Sequence, residues 1–126
     1  MTFDKKVILI VDDNEVNVRM AKNLLENKLN CRVITESNGL DGIRALERNP
    51  VIHLIILDIK MPLMNGIETL KKIRSNTKFK DTKVLMFTAA ADRNTVIKAA
   101  ELGISGYIKK PFNSDDLLCH VQDCLF

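Results

Sequence analysis

No stretch of this chain is apolar for long enough to cross a bilayer. Its strongest hydrophobic runs, Val7–Val11 and Leu54–Leu57, stop far short of the roughly 20 residues a membrane helix needs. The opening Met1-Thr-Phe-Asp-Lys-Lys6 lacks the apolar core of a secretion signal. Cysteine is scarce and scattered (Cys31, Cys119, Cys124), which excludes a disulfide framework and any C-x-x-C pair. A reducing cytoplasm is the compartment that cysteine usage implies. Neither sign of charge dominates. The formal net charge of +3 is too small to argue for nucleic acid, and none is expected as a partner. Repeats, low-complexity tracts and linkers are missing as well. What is left is one domain of 126 residues, large enough to bury a core without staples.

Short β-branched runs alternate with helical periods five times. The pattern predicts strands over 6–11, 32–36, 52–57, 83–87 and 105–109. It predicts helices over 15–28, 38–49, 66–76, 93–102 and 114–125. Met20, Ala21, Leu24 and Leu25 recur at helical spacing in the first helix, and Leu117, Leu118, Val121 and Leu125 in the last. Asn113 reads as an N-cap with an acidic first turn at Asp116, and Gly103 as a C-terminal glycine. Such alternation implies an α/β fold, a doubly wound parallel sheet with right-handed crossovers and helices on both faces.

Ligands of such sheets bind at the carboxyl ends of the strands, and there this chain places polar residues. Asp12 and Asp13 follow the first run, Asp58 the third, Thr88 the fourth, and Lys110 the fifth. In the order 2-1-3-4-5 the first and third strands are neighbours, so three carboxylates would crowd one crevice. Their repulsion is relieved by a divalent cation such as Mg²⁺ or Mn²⁺, which takes carboxylate oxygens and readily adds a phosphate oxygen. A single Asp at a strand end is more simply read as a helix cap. Three acids with a hydroxyl and an ammonium point instead to phosphoryl chemistry. Asp58 is then the nucleophile that forms an acyl phosphate, Asp12 and Asp13 hold the metal, and Lys110 and Thr88 contact the phosphoryl oxygens. Ala89-Ala-Ala91 is small enough to leave the group accessible.

Taken in order, these residues resemble a response-regulator receiver domain of two-component and phosphorelay signalling, over essentially the whole chain. Asp58-Ile-Lys-Met-Pro-Leu-Met-Asn-Gly66 also fits that family's phosphoacceptor loop, with Met61, Pro62 and Gly66 in place. The resemblance implies a flavodoxin-like five-stranded sheet and a cis Lys110–Pro111 bond, with Lys109 facing away from the site. It implies Thr88 and Tyr107 as the switch pair: Tyr107 turns into space left by Thr88 and reshapes the surface of the fourth helix, fifth strand and fifth helix. Lys60 offers its backbone carbonyl to the metal, and Lys60 and Ala90 tune the lifetime of the phosphoryl group. A histidine kinase or histidine phosphotransfer domain is the implied donor and a downstream protein the target. The domain is a monomer or a phosphorylation-promoted dimer, and catalyses only its own phosphorylation and dephosphorylation. Val11-Asp-Asp-Asn-Glu-Val-Asn17 resembles receivers of hybrid kinases and phosphorelays, with Asn14 and Asn17 facing the donor. A stand-alone unit is expected from Met1 preceding the first strand so closely; a receiver of a longer chain or a relay intermediate is the alternative.

Two other readings fit less well. FMN binding needs a hydroxyl- and glycine-rich loop after the first strand, where Asp12-Asp-Asn-Glu15 stands. Aspartyl-phosphate phosphatases of the dehalogenase type carry Asp-x-Asp there, and Asp12 is followed directly by Asp13. The remaining features call for no special chemistry. Lys71, Lys72, Arg74, Lys78, Lys80 and Lys83 read as a solvated basic stretch rather than an acidic partner's patch. His53 reads as surface, His120 and Cys124 as helix-surface side chains rather than a metal pair, and Cys31 as a small core residue.

Overall fold

β-Branched residues stiffen extended backbone, and each of the five runs forms a strand: β1 (Val7–Val11), β2 (Arg32–Glu36), β3 (Leu54–Asp58), β4 (Lys83–Thr88) and β5 (Gly106–Lys109). Between and after them lie α1 (Glu15–Leu29), α2 (Gly39–Arg48), α3 (Gly66–Ser75), α4 (Arg93–Leu102) and α5 (Ser114–Leu125). This is a computed structural model that describes residues 5–49, 51–89 and 93–126. The sheet is parallel throughout, as the alternation predicted, in the order β2-β1-β3-β4-β5 that the family resemblance implies. β3 opens at Leu54 rather than 52, and takes in Asp58 as its last residue.

Side chains of a strand alternate between faces, which divides the core in two. Ile8, Ile10, Leu54, Ile56, Leu85 and Phe87 pack with Ala21 and Leu25 of α1 and Leu117 and Val121 of α5. Leu9, Val11, Ile55, Leu57, Val84 and Met86 pack with Ala45, Leu46, Leu70, Ile73 and Ala99 of α2, α3 and α4. β3 lies between β1 and β4 and is buried at every position, hence its unbroken hydrophobic wording. Met20 departs from its expected place. It is 54% exposed, while α1 turns Ala21 and Leu25 inward. The apolar stripe of α1 is thus narrower than its apolar residues suggest.

Asparagine starts the helices. Asn14, Asn38, Asn65 and Asn113 each cap one with a side-chain oxygen that accepts a first-turn amide, and Asn65 shares a capping box with Glu68. Gly103 closes α4 as expected, at φ +98° with its amide bonded to the Ala99 and Ala100 carbonyls.

Three residues read as solvent-facing are bound into the structure. His53 Nδ1 accepts the Val7 amide at 2.9 Å, pinning the start of β1. Lys83 Nζ donates to the Cys124 carbonyl at 2.8 Å, near the end of α5. Arg74 does most: its guanidinium donates to the carbonyls of Lys80 (2.8 Å), Thr82 (2.8 Å) and Gly103 (2.7 and 3.1 Å). One fork therefore ties α3 to the loop before β4 and to the end of α4. A lysine has no planar fork and cannot reach all three acceptors. Arg74→Ala should lower stability by about 1–3 kcal/mol in urea unfolding, and Arg74→Lys should recover less than half of it. A loss below about 0.5 kcal/mol for both variants would show the fork to be incidental.

Candidate functional site

Strand parity decides which end-of-strand residues meet. Asp12 and Asp58 continue the rows of Ile8/Ile10 and Leu54/Ile56, so both carboxylates project towards the α1/α5 side at the carboxyl edge. Both are almost fully buried, at 2% and 4% exposure, and Asp13 beside them is exposed. One oxygen from each of Asp12, Asp13 and Asp58 lies within 4.8 Å of the others. The Lys110 Nζ stands 2.9 Å from Asp12 Oδ2 and 3.2 Å from Asp58 Oδ1. Phe87 lies beneath that ammonium, 5.7 Å from Nζ to the ring centre, and stacks on Phe112 at 5.8 Å. This aromatic floor under Lys110 has no signal in the sequence, because it joins β4 to the loop after β5.

Helix capping does not account for the acids. α1 is capped by Asn14 and α3 by Asn65. Asp12 Oδ1 instead accepts the Asn14 amide at 2.9 Å, which shapes the loop. Its other oxygen, Oδ2, is buried and within ion-pair distance of Lys110, yet out of line for a hydrogen bond. A buried carboxylate oxygen without a hydrogen bond is costly unless something else satisfies it. Three carboxylates against one ammonium also leave an excess of two negative charges, the charge of one divalent cation. Oxygen donors in this number suit Mg²⁺ or Mn²⁺.

The phosphoacceptor loop is held as the sequence suggested. The Gly66 amide bonds to the Ile59 carbonyl at 2.8 Å, and a β-carbon at Gly66 would overlap the carbonyl oxygen of Asp58. Only glycine allows that approach. Lys110–Pro111 is cis. Thr88 is buried, at 4% exposure, at the end of β4. A cleft of about 280 Å³ opens over Asp58, walled by Asp13, Asn14, Asn17, Lys60, Thr88, Ala89, Thr95 and Lys110. Thr95 was not anticipated, since only the docking of α4 brings it there. Tyr107 lies apart from the cleft on β5, half-exposed, beside Met86 in register and facing away from Ile108. Lys109 shares its outward side, as alternation required. Ala90, assigned to phosphoryl access, lies outside the described residues.

A parallel sheet that gathers an acid triad, a lysine and a buried threonine at its carboxyl edge is built as a phosphoacceptor. The chain belongs to the receiver family: the description "Response regulator receiver domain" matches residues 8–122. It is 33% identical to a chemotaxis protein CheY homolog of Campylobacter jejuni over 94% of this chain and 91% of that one. It is 36% identical to hybrid signal transduction histidine kinase D of Dictyostelium discoideum over 97% of this chain, which spans 8% of that protein. Among solved structures, Vibrio cholerae CheY4 superposes with a TM-score of 0.90 at 28% identity, over 97% of this chain and all of the other. The receiver domain of a Pseudomonas aeruginosa sensor histidine kinase, with magnesium in its active-site cleft, gives 0.86 at 26% identity, over 96% and 98% of the two chains. The manganese-bound response regulator Rcp1 gives 0.80 at 30% identity, over 94% and 90%. The chain is thus a receiver domain of CheY type, a phosphoacceptor of two-component signalling. Domains of this type work with histidine kinases and downstream targets. No helix among the described residues is long and apolar enough to cross a membrane.

Burial, and after it the charge of Asp12, raises the pKa of Asp58 from the ordinary carboxylate range to about 7; Lys110 opposes the shift. A raised pKa means the folded state holds this proton more tightly than the unfolded chain does. Metal-free protein should therefore lose stability, on the order of 2–4 kcal/mol from this group, as pH rises from about 4 to about 7. Asp58→Asn should remove that loss, stabilising the metal-free domain at pH 8 and leaving it nearly unchanged near pH 4. Thermal melts in EDTA at both pH values check this, and an equal gain at both would refute it.

Proposed function

We propose that Asp58 takes a phosphoryl group from a phosphohistidine on a histidine kinase or phosphotransfer domain and that the domain passes the event to a downstream protein. The observation that supports this most is the Lys110 ammonium set between Asp12 and Asp58 in the inner wall of an open cleft. An oxygen of Asp58 attacks phosphorus, the P–N bond breaks, and its electron pair stays on the imidazole nitrogen. Lys110 is placed to exchange its contact with Asp58 for one with a phosphoryl oxygen, and the Thr88 hydroxyl to donate to another. Asp12, Asp13, Asp58 and the backbone carbonyl of Lys60 would hold Mg²⁺ or Mn²⁺. When bound, the metal neutralises the excess carboxylate charge and the charge on the transferring group. Hydrolysis of the acyl phosphate returns the carboxylate, so the domain catalyses only its own phosphorylation and dephosphorylation, in the cytoplasm.

The readout assigned to this event runs through Thr88 and Tyr107. Both lie on the face of the sheet that α4 covers, Thr88 in the row of Val84 and Met86, and Tyr107 is half-exposed. Drawing the Thr88 hydroxyl towards a phosphoryl group vacates space that Tyr107 can enter, which changes the α4–β5–α5 surface a partner meets. The phosphoryl group shifts this equilibrium only by its differential interaction with the two states. The 36% identity to a hybrid kinase also supports a relay role, in which the phosphoryl group passes onward.

Intact-protein mass after addition of acetyl phosphate should show one phosphoryl group with Mg²⁺, and none in EDTA or in Asp58→Asn. Uptake that survives either control would refute the assignment. A slow decay favours output, a fast one a relay. Tyr107 is the single tyrosine in a chain without tryptophan, so intrinsic fluorescence reports it alone. Iodide quenching of that emission should fall on phosphorylation in wild type and stay constant in Asp58→Asn. Unchanged quenching in phosphorylated wild type would remove Tyr107 from the switch.

A further inference from the structure

The rim of the phosphoacceptor cleft carries a polar side chain to which the reaction above gives no role. Asn17 stands in the first turn of α1 and is partly buried, and it lines the cleft with Asp58, Lys60 and Lys110. Its backbone amide is used up in the cap, donating to Asn14 Oδ1 at 3.0 Å. Its side-chain carboxamide makes no hydrogen bond among the described residues. Asn14 is committed to capping and Asp13 to the acid triad. Asn17 is therefore a free amide acceptor at the cleft mouth.

In-line transfer places the departing group on the side of phosphorus opposite the attacking oxygen. Asp12 and Lys110 fill the inner wall, so that side is the rim. We propose that Asn17 is a positioning residue for the in-line site, its Oδ1 accepting a hydrogen bond from the ammonia that leaves when phosphoramidate is the donor and from the water that attacks on hydrolysis; a departing imidazole nitrogen, which carries no N–H, does not use this contact. This rests on Asp58 being the phosphoacceptor. When phosphoramidate is the donor, its nitrogen carries a third proton as –NH3+; the new O–P bond forms at Asp58, the P–N bond breaks, and nitrogen keeps the pair and departs as ammonia. When water enters, its oxygen bonds to phosphorus and the P–O bond to Asp58 breaks. The electron pair returns to the carboxylate, and the proton passes to solvent. Departing ammonia and entering water point N–H or O–H donors at the same rim position, so one acceptor serves both of these steps. Acetate leaving from acetyl phosphate has no such donor.

The test compares wild type, Asn17→Ala and Asn17→Gln by intact mass, with phosphoramidate and with acetyl phosphate, and follows decay after donor removal. The Mg²⁺ dissociation constant is measured beside it by calorimetry. Asn17→Ala should slow phosphoramidate uptake and hydrolysis by roughly three- to tenfold, the worth of one hydrogen bond. Uptake from acetyl phosphate and Mg²⁺ affinity should stay within about twofold, the resolution of such rate comparisons, and Asn17→Gln should recover part of the loss. Equal slowing with both donors, weakened Mg²⁺ binding, an effect on one step only, or no effect would each overturn the proposal. Wild type that takes no phosphoryl group from either donor would overturn the phosphoacceptor reading itself. Phosphorylated wild type with an indistinguishable Asn17→Ala would overturn only the role of Asn17.

Discussion

Lys110 holds one ammonium against two buried carboxylates, 2.9 Å from Asp12 and 3.2 Å from Asp58, and the rest of the site follows from that unequal match. A single cation cannot satisfy three acids in a partly desolvated crevice, so the domain keeps unspent negative charge at its edge. That excess makes a divalent cation welcome; burial, and after it the charge of Asp12, raises the pKa of Asp58 in the cation's absence. Removing Lys110 would leave both buried carboxylates uncompensated, a far larger cost than the pair's own net worth. Phe87, stacked on Phe112, lies under the Lys110 ammonium and adds the attraction of its ring face.

The sheet makes the match possible. β1 and β3 are neighbours because the chain winds outward to β2 and then crosses back, and the crevice opens where the winding reverses. Parity along each strand puts Asp12 and Asp58 on one side and Thr88 and Tyr107 on the other. Thr88, at the buried end of β4, nonetheless reaches the wall of the cleft over Asp58, and Tyr107 stands apart from it. Arg74 holds the far end of α4 to α3 and the loop before β4.

Much of this was legible in the residues. Alternating β-branched runs and helical periods carried the element order, since parallel strands buried on both faces must be almost continuously apolar. The acids, Thr88 and Lys110 stood out because each ends such a run. The surface of α1 was harder to read. Met20 sits at the apolar spacing yet faces solvent, because α1 needs only a narrow stripe against α5. His53 and Arg74 looked solvated because their partners are backbone groups, and backbone acceptors carry no signature in the sequence. Thr95 and the Phe87–Phe112 stack were invisible for a related reason: each arises from two elements distant in the chain.

The sequence by itself determined which groups the site contains, the period of every element, and the alternation of strand with helix. Those are local properties of residue type and spacing. Tertiary structure alone decided that Asp12 Oδ2 is buried without a hydrogen bond, and that Asn17 reaches the cleft rim with its side-chain carboxamide unbonded among the described residues. It also set Tyr107 facing outward. Each of these depends on how helices dock against the sheet to within an ångström, and docking is fixed by the packing of the whole core rather than by any one segment.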